Sequence, residues 1–482
     1  MKIFIRNIAL IIILVLALLV RLYRFDNPIG DWHAWRQADT SAVSRNFVQH
    51  GYDILHPRFD DLSNIPSGID NPNGYRFVEF PLYNILQAGS FHYIGIWTLE
   101  EWGRLISIIA SLWAIVFLFL LVTKYANKTT GLFTAFFYAF LPYDIYYSRI
   151  ILPDPSMIAV TLGAIYFFDK WSEKNYELRI TSYEFWGALV LTMSGFLLKP
   201  YAGFFLLPMV YIVYEKLGWA FLKKWQLWLF AVVSIIPFIG WRLWIAQYPE
   251  GIPANTWLLN GNGIRFRPAF FRWIGYERLT KLISGYIGIV LLIFGGFALV
   301  KLKHKGFFLS FLLSSLLYVT IFATGNVQHD YYQILIMPSI AIFYGLGAYY
   351  LSSKFAIGKY FELGKIILII CTIGTFYFSW QIVKDYFNIN NRAMIVAGQA
   401  VDRLTPKNAK IIAPLDGDTS FLYQTNRKGW PSFEKDLPIM ITQLGADYLV
   451  IVSPKPTEDI GKKYKVISQT KDYILVNLHE KL

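Results

Sequence analysis

The sequence predicts an all-α polytopic membrane domain followed by a small C-terminal extracytoplasmic α/β domain. Three observations predict it. Apolar segments of roughly 20 residues, the length a bilayer core demands, recur up to about residue 385. Counted as spans, they place every short basic loop on one face. From about residue 390 the pattern turns to short apolar strands with a helix before the first of them.

Composition excludes an ordinary soluble enzyme. The 482 residues are 55% hydrophobic and 18% aromatic, and only 16% are charged, well short of the usual quarter. A net charge of +13 raises the question of nucleic acid. The Lys and Arg are scattered in small groups between apolar runs, which is the positive-inside pattern, and no nucleic-acid partner is expected. The single cysteine, Cys371, lies inside an apolar run. Neither an intramolecular disulfide nor a Cys-based metal site can be built from it.

Taken in order, residues 1–21 have a basic start and an apolar centre like a signal peptide. No small-x-small cleavage site follows, and Arg21-Leu-Tyr-Arg24 comes next, so this is an uncleaved first span. Further apolar segments lie at about 103–123, 131–147, 155–169, 185–198, 201–217, 226–245, 282–300, 307–325, 333–352 and 365–384. With the first, at 7–23, that makes about eleven transmembrane helices, some short enough to need tilt or a buried setting.

Lys2 and Arg6, Lys124 and Lys128, then Lys170, Lys174 and Arg179 fall on one face under this count. So do Lys216, Lys223 and Lys224, then Lys301, Lys303 and Lys305, then Lys354, Lys359 and Lys365. That face is cytoplasmic and the N-terminus lies on it. A multi-pass protein of a bacterial plasma (inner) membrane is expected.

The opposite face receives the long pieces: 24–102, 246–281 and the tail from about 385. The first is rich in Pro, Gly, Asn and Asp, hence in turns. Its segment 80–98 is apolar but broken by Gln87, Gly89 and His92, and is read as a helix lying at the interface. Counting it as a span would invert every later loop. In the tail, Ile411-Ile-Ala, Tyr448-Leu-Val-Ile-Val and Tyr473-Ile-Leu-Val-Asn-Leu read as strands, with a helix near 393–404. The tail has no Gly-rich phosphate loop and no metal-ligand spacing, which makes it a cap over a membrane site. The expected division is 1–385 for the transmembrane domain, including outer loop 24–102, and 386–482 for the cap.

The chemistry gathers on the outer face. Residues 31–47 carry Asp31, His33, Arg36, Asp39 and Arg45 among aromatic rings. As a helix, this stretch sets Arg36, Asp39, Thr40 and Val43 on one side. A carboxylate and a guanidinium one turn apart can bind a lipid phosphate and activate a hydroxyl; the alternative is an Arg–Asp pair that only fixes a surface helix. Arg149-Ile-Ile-Leu-Pro-Asp154-Pro puts two ionisable groups at a span end, where charge is costly unless paired or wetted. Asp154 could equally be a helix N-cap. Glu79 opens the interfacial segment, and Lys199-Pro is a cation at an outer turn. His329, Asp330 and Tyr331 open a late span. Arg265, Arg267 and Arg272 break the positive-inside trend and are the other anion candidates, with a folded loop tolerating its own charges as the simpler explanation.

In order and spacing these motifs resemble the bacterial branch of the GT-C glycosyltransferases, specifically the protein O-mannosyltransferases and the lipid A aminoarabinose transferases. The likeness covers nearly the whole chain. It runs from the outer-loop acidic motif with Ser44-Arg45, through Pro81-Leu-Tyr, Arg149-x-x-x-x-Asp154-Pro and Lys199-Pro, to the Tyr331-Tyr332 start of a late span. The family pattern has Asp-Glu followed by Arg-Tyr early in the first outer loop. Registered on Ser44-Arg45, Arg36-Gln37 stands there instead, so Asp39 is the nearest carboxylate and Asp31 its rival. The lysine of the aminoarabinose branch is Phe80 here, while Glu79 matches.

The resemblance implies a hexosyl- or pentosyltransferase that moves a sugar from a polyprenyl-phosphate carrier to a hydroxyl of a lipid, glycan or protein, with inversion. Asp39 and Asp154 would be catalytic. Arg36, Arg149 and Lys199 would hold the donor phosphate, and Asp31, His33, Glu79, His329, Asp330 and Tyr331 would line the site. No cofactor is indicated and no metal site is assigned, although Mg²⁺ or Mn²⁺ between Asp39 and Asp154 is compatible with the pattern. Membrane lipids are the remaining partners. The competing class is a transporter or flippase of lipid-linked sugars, which would carry weakly symmetric halves and charges near the bilayer midplane.

Overall fold

A computed structural model describes residues 8–174, 178–354, 361–454 and 460–482. Lys2, Arg6 and Lys359 of the charge pattern lie outside the described residues. Each apolar segment read from the sequence is helical. Among the described residues, five helices are long and apolar enough to cross a membrane, by length and composition: Leu99–Tyr125, Pro200–Lys223, Trp225–Ile245, Asp330–Ser353 and Leu363–Leu404. Ile8–Arg21, Tyr183–Leu198, Ile289–Val300 and Lys305–Ile321 are shorter apolar helices.

The chain divides into two compact units. One comprises Met1–Tyr23, Leu105–Gly240 and Asn255–Asp385; the other comprises Arg24–Arg104, Trp241–Ala254 and Tyr386–Leu482. The first is helical. Its first helix is tied in by a buried pair, since Arg21 Nη2 lies 3.0 Å from Asp144 Oδ2. Arg21 also donates to Ser148 Oγ at 2.7 Å and to the Ala139 carbonyl at 2.8 Å. A guanidinium in that setting persists because its donors are used.

The second unit joins the first outer loop to the C-terminal segment. Its sheet runs β2-β1-β3-β5-β4, with β1 Ile411–Ile412, β2 Gly429–Trp430, β3 Tyr448–Val452, β4 Tyr464–Gln469 and β5 Tyr473–Lys481. β1 pairs parallel with β2 and β3, while β5 runs antiparallel to β3 and β4. The expected strands and the helix, Arg392–Leu404, are present; β2 and β4 are additional. β2 is too short to show a period, and β4 alternates too weakly to separate from a loop. One face of the sheet packs on helix Arg392–Leu404 through Met394, Ala397 and Val401.

Outer-loop residues extend the sheet edge. Leu62 N–H donates to the Gly429 carbonyl at 2.8 Å, and Gly429 N–H donates to Asp60 O at 2.9 Å. Gly429 lies so close to the Ile411 backbone that an added Cβ would overlap its carbonyl. Close backbone approach is one reason for glycine inside a strand. Gly429→Ala should therefore destabilise this unit by about 1–3 kcal/mol. A drop in the melting temperature of the purified protein checks this, and an unchanged value would mean that the edge relaxes freely.

Candidate active site

Helix Ala34–His50 is the centre of the second unit. It is polar in sequence yet buried: Arg36, Gln37, Asp39, Thr40, Ser41, Ser44 and Asn46 are all inaccessible or nearly so. Buried polar groups cost free energy unless hydrogen-bonded, so each needs a partner. Helix Leu82–Ile94 supplies several. Asn84 Nδ2 donates to Thr40 O at 2.7 Å, and Ser44 Oγ donates to Gln87 Oε1 at 2.7 Å. Gln87, which interrupts the apolar segment, thus serves as a polar link between two helices. The residue before the helix, His33, holds a left-handed backbone with φ 54°, uncommon outside glycine.

Asp39 is 4% exposed and held through both oxygens. Arg76 Nη2 donates to Oδ2 at 2.6 Å, and Thr419 Oγ1 donates to Oδ1 at 2.6 Å. Arg76 sits at the end of a turn of outer loop, where Arg58 bridges Tyr75, and its guanidinium lies over the Phe59 ring. Thr419 opens helix Thr419–Gln424, which Asp418 caps by accepting from Ser420 N–H at 2.7 Å. Arg36, one turn before Asp39, donates instead to Glu79 Oε1 at 2.5 Å and to Thr40 Oγ1 at 3.4 Å. The guanidinium is thus engaged by Glu79, while Asp39 is met by Arg76 and Thr419. Asp31, the rival carboxylate, accepts from Gln37 Nε2 at 2.7 Å and is 1% exposed. Arg45, the partner residue of the Ser-Arg motif, pairs with Asp60 and covers the Tyr423 ring.

The first unit holds the other candidates. Asp154 starts helix Asp154–Lys174, where a carboxylate meets the favourable end of the helix dipole. Lys199, the last-turn cap of helix Tyr183–Leu198, places Nζ 2.9 Å from Oδ1 and from Oδ2 of Asp154. The same ammonium lies 5.8–6.0 Å from the ring centres of Tyr201, Tyr331 and Tyr332. Asp330 accepts from Tyr147 OH at 2.6 Å through Oδ1, and its carbonyl accepts from Tyr143 OH at 2.6 Å. Arg278 Nη1 is 4.0 Å from Asp330 Oδ2. Arg149 is fully buried, and His329 packs its ring on Trp257 and Tyr331. Arg265 caps a helix end, donating to Thr320 O and Ile321 O.

The structure therefore joins Arg36 with Glu79, Asp154 with Lys199 and Tyr331, and Asp31 with Gln37. Asp39 is joined with two residues that sequence reasoning missed. Asp39 and Asp154 each face a cation as they stand, and among the described residues no group of three or more His, Cys, Asp or Glu side chains could hold a metal.

Residues 81–244 match the family described as dolichyl-phosphate-mannose-protein mannosyltransferase, a segment that includes Arg149, Asp154 and Lys199. No curated protein sequence matches the chain significantly. Among solved structures, ArnT from Cupriavidus metallidurans bound to undecaprenyl phosphate is similar over 98% of both chains, with a TM-score of 0.66 at 12% identity. The oligosaccharyltransferase AglB from Archaeoglobus fulgidus, in complex with an inhibitory peptide and a dolichol-phosphate, is similar over 98% of this chain and 74% of its own. Its TM-score is 0.59 at 11% identity. An Archaeoglobus fulgidus oligosaccharyltransferase in complex with Zn and sulfate gives a TM-score of 0.58 at 12% identity over 91% of this chain and 68% of its own. This chain has the GT-C fold. Family match and fold together indicate a membrane glycosyltransferase.

Within the second unit, one more acid stands near Asp39. Burial, reinforced by the Asp39 charge, pushes the Asp61 carboxyl up to about 7, against hydrogen bonds from Ser63 that pull it down. The unfolded chain releases that proton near pH 4. Between about pH 4 and 7 the folded state binds more protons, so this group makes stability fall as pH rises, with no further change above. Asp61→Asn, which keeps the acceptor for Ser63 N–H, should flatten that part of the melting-temperature profile. An unchanged pH profile would show that Asp61 is ionised throughout.

Proposed function

We propose that this protein transfers a sugar from a polyprenyl-phosphate carrier to an acceptor hydroxyl at the extracytoplasmic face of a bacterial plasma membrane, with inversion. The observation that carries the reading is Asp39, a buried carboxylate aimed by donors at 2.6 Å on each oxygen. A carboxylate oxygen has two lone pairs, so each retains room for a further donor. The acceptor O–H gives its proton to Asp39 as its oxygen bonds to the anomeric carbon. The bond from that carbon to the phosphate oxygen breaks, and the polyprenyl phosphate leaves with the electron pair. Attack opposite the leaving group inverts the centre. Cations stabilise the charge that develops on the phosphate; Arg149 and Lys199 are assigned this role in the helical unit, and Arg36 in the other.

Residues 1–385 then provide the membrane-embedded transferase and 386–482 an outer domain that serves it. The positive-inside pattern supports a cytoplasmic N-terminus. The similarity of ArnT bound to undecaprenyl phosphate, and of AglB with dolichol-phosphate, supports the carrier class.

The test is release of polyprenyl phosphate by purified protein offered polyprenyl-phosphate mannose, glucose and aminoarabinose, beside mass spectrometry of envelope glycans from a deletion strain. Asp39→Asn should lose about 10²–10⁴ in rate at normal protein levels. Retained activity in Asp39→Asn and loss in Asp31→Asn would move the base to Asp31. A donor titration tests the phosphate site. Arg149→Ala should weaken donor affinity roughly ten- to hundredfold, and Arg149→Lys should lose less. Lys199→Ala strands Asp154 as a buried charge, at a cost of about 3–5 kcal/mol, so it is compared with Lys199→Ala/Asp154→Asn.

A further inference from the structure

Away from these groups, the opposite helix ends of the helical unit carry a second cluster of charge. Leu99–Tyr125 ends at Lys124, and Asp154–Lys174 brings Asp169, Lys170 and Glu173 beside it. Asp169 is fully buried and saturated: it pairs with Lys124, accepts from Tyr125 OH at 2.8 Å, and lies 3.1 Å from Lys216 Nζ. Lys216 also donates to Ser172 Oγ at 2.8 Å. Those groups explain one another.

Glu173 is different, because it is 37% exposed and lies between two ammonium groups, 2.6 Å from Lys124 and 3.3 Å from Lys170. It borders a cavity of about 240 Å³ that is open to the surface. Leu120 and Leu121 line this cavity along with Tyr166, whose ring faces Lys170 Nζ at 5.9 Å. The arrangement is an apolar surface at a helix end, rimmed by two exposed cations and one exposed acid.

We propose that this cavity binds the head group of a zwitterionic aminophospholipid, a phosphoethanolamine ester, on the face that the charge pattern assigns to the cytoplasm. The phosphate sits against Lys124 and Lys170, its ammonium replaces their hold on Glu173, and the glycerol end rests on Leu120 and the Tyr166 ring. Two signs of charge on the rim select this chemistry. A purely anionic head group would meet Glu173 as a like charge, and a purely cationic one would meet the two lysines. Lysines at the cytoplasmic boundary face lipid phosphates in any case; the exposed acid and the apolar lining are what make the site selective. The inference goes beyond the transfer reaction and stands or falls independently of it.

The experiment is the melting temperature of the purified full chain in uncharged detergent, titrated with short-chain phosphatidylethanolamine, short-chain phosphatidylglycerol and free O-phosphoethanolamine. Lys170 and Glu173 are partly exposed, so Lys170→Ala and Glu173→Gln leave the buried Asp169 pairs in place. Phosphatidylethanolamine should raise the melting temperature saturably, with the half-saturating concentration roughly tenfold higher or more in each variant. Phosphatidylglycerol should be weaker on the wild type and should gain on Glu173→Gln. Free O-phosphoethanolamine should have little effect, since it has nothing to lay on Leu120 and the Tyr166 ring; an equal shift would overturn the lipid as the source. Identical titrations for wild type and both variants, or phosphatidylglycerol matching phosphatidylethanolamine on the wild type, would overturn the proposal.

Discussion

A carboxylate taken out of water must be matched by donors, and much of the outer unit is arranged to meet that demand at Asp39. Arg76 comes from a turn of the first outer loop and Thr419 from a short helix near the C-terminus. Bringing them to one side chain requires those segments to fold together. They do so through further contacts of the same kind: Arg24 with Phe387 O, Gln424 with Ile29 O, and Asn390 N–H with Gly30 O. The C-terminal segment thus contributes Thr419 to the surroundings of the acid.

The helical unit answers the same constraint differently. There two buried carboxylates are each matched by an opposite charge, Asp154 by Lys199 and Asp144 by Arg21. A buried pair is weak grounds for stability, because desolvation consumes much of the attraction, but breaking one is expensive. Such pairs fix helix ends relative to one another.

Much of this was legible in the sequence. Apolar length and loop charge located the helices, because a bilayer imposes the same requirement on any chain. Asp154 and Lys199 stand out in the sequence as charges at helix ends in an apolar chain, and the structure pairs them with one another. Strands β2 and β4 escaped through their brevity and weak alternation. Arg76 and Thr419 escaped for another reason. Thr419 is 380 positions from Asp39, and a threonine in a polar segment carries no local mark of its distant partner. Arg76 offered one usable signal, a cation beside the turn-rich Asn-Pro-Asn-Gly run. Arg36 looks like the partner of Asp39 by spacing alone, but Glu79, distant in sequence, pairs with it instead.

If Arg76 serves transfer by holding the Asp39 carboxylate, its loss should matter only while Asp39 is present. The direct measurement is a double-mutant cycle on polyprenyl-phosphate release, with Asp39→Asn, Arg76→Gln and the combined variant, each first shown to be folded by its melting temperature. Strong non-additivity is expected, with the combined variant no slower than Asp39→Asn alone. Losses that simply multiply would contradict it, because Arg76 would then contribute to transfer without acting through Asp39.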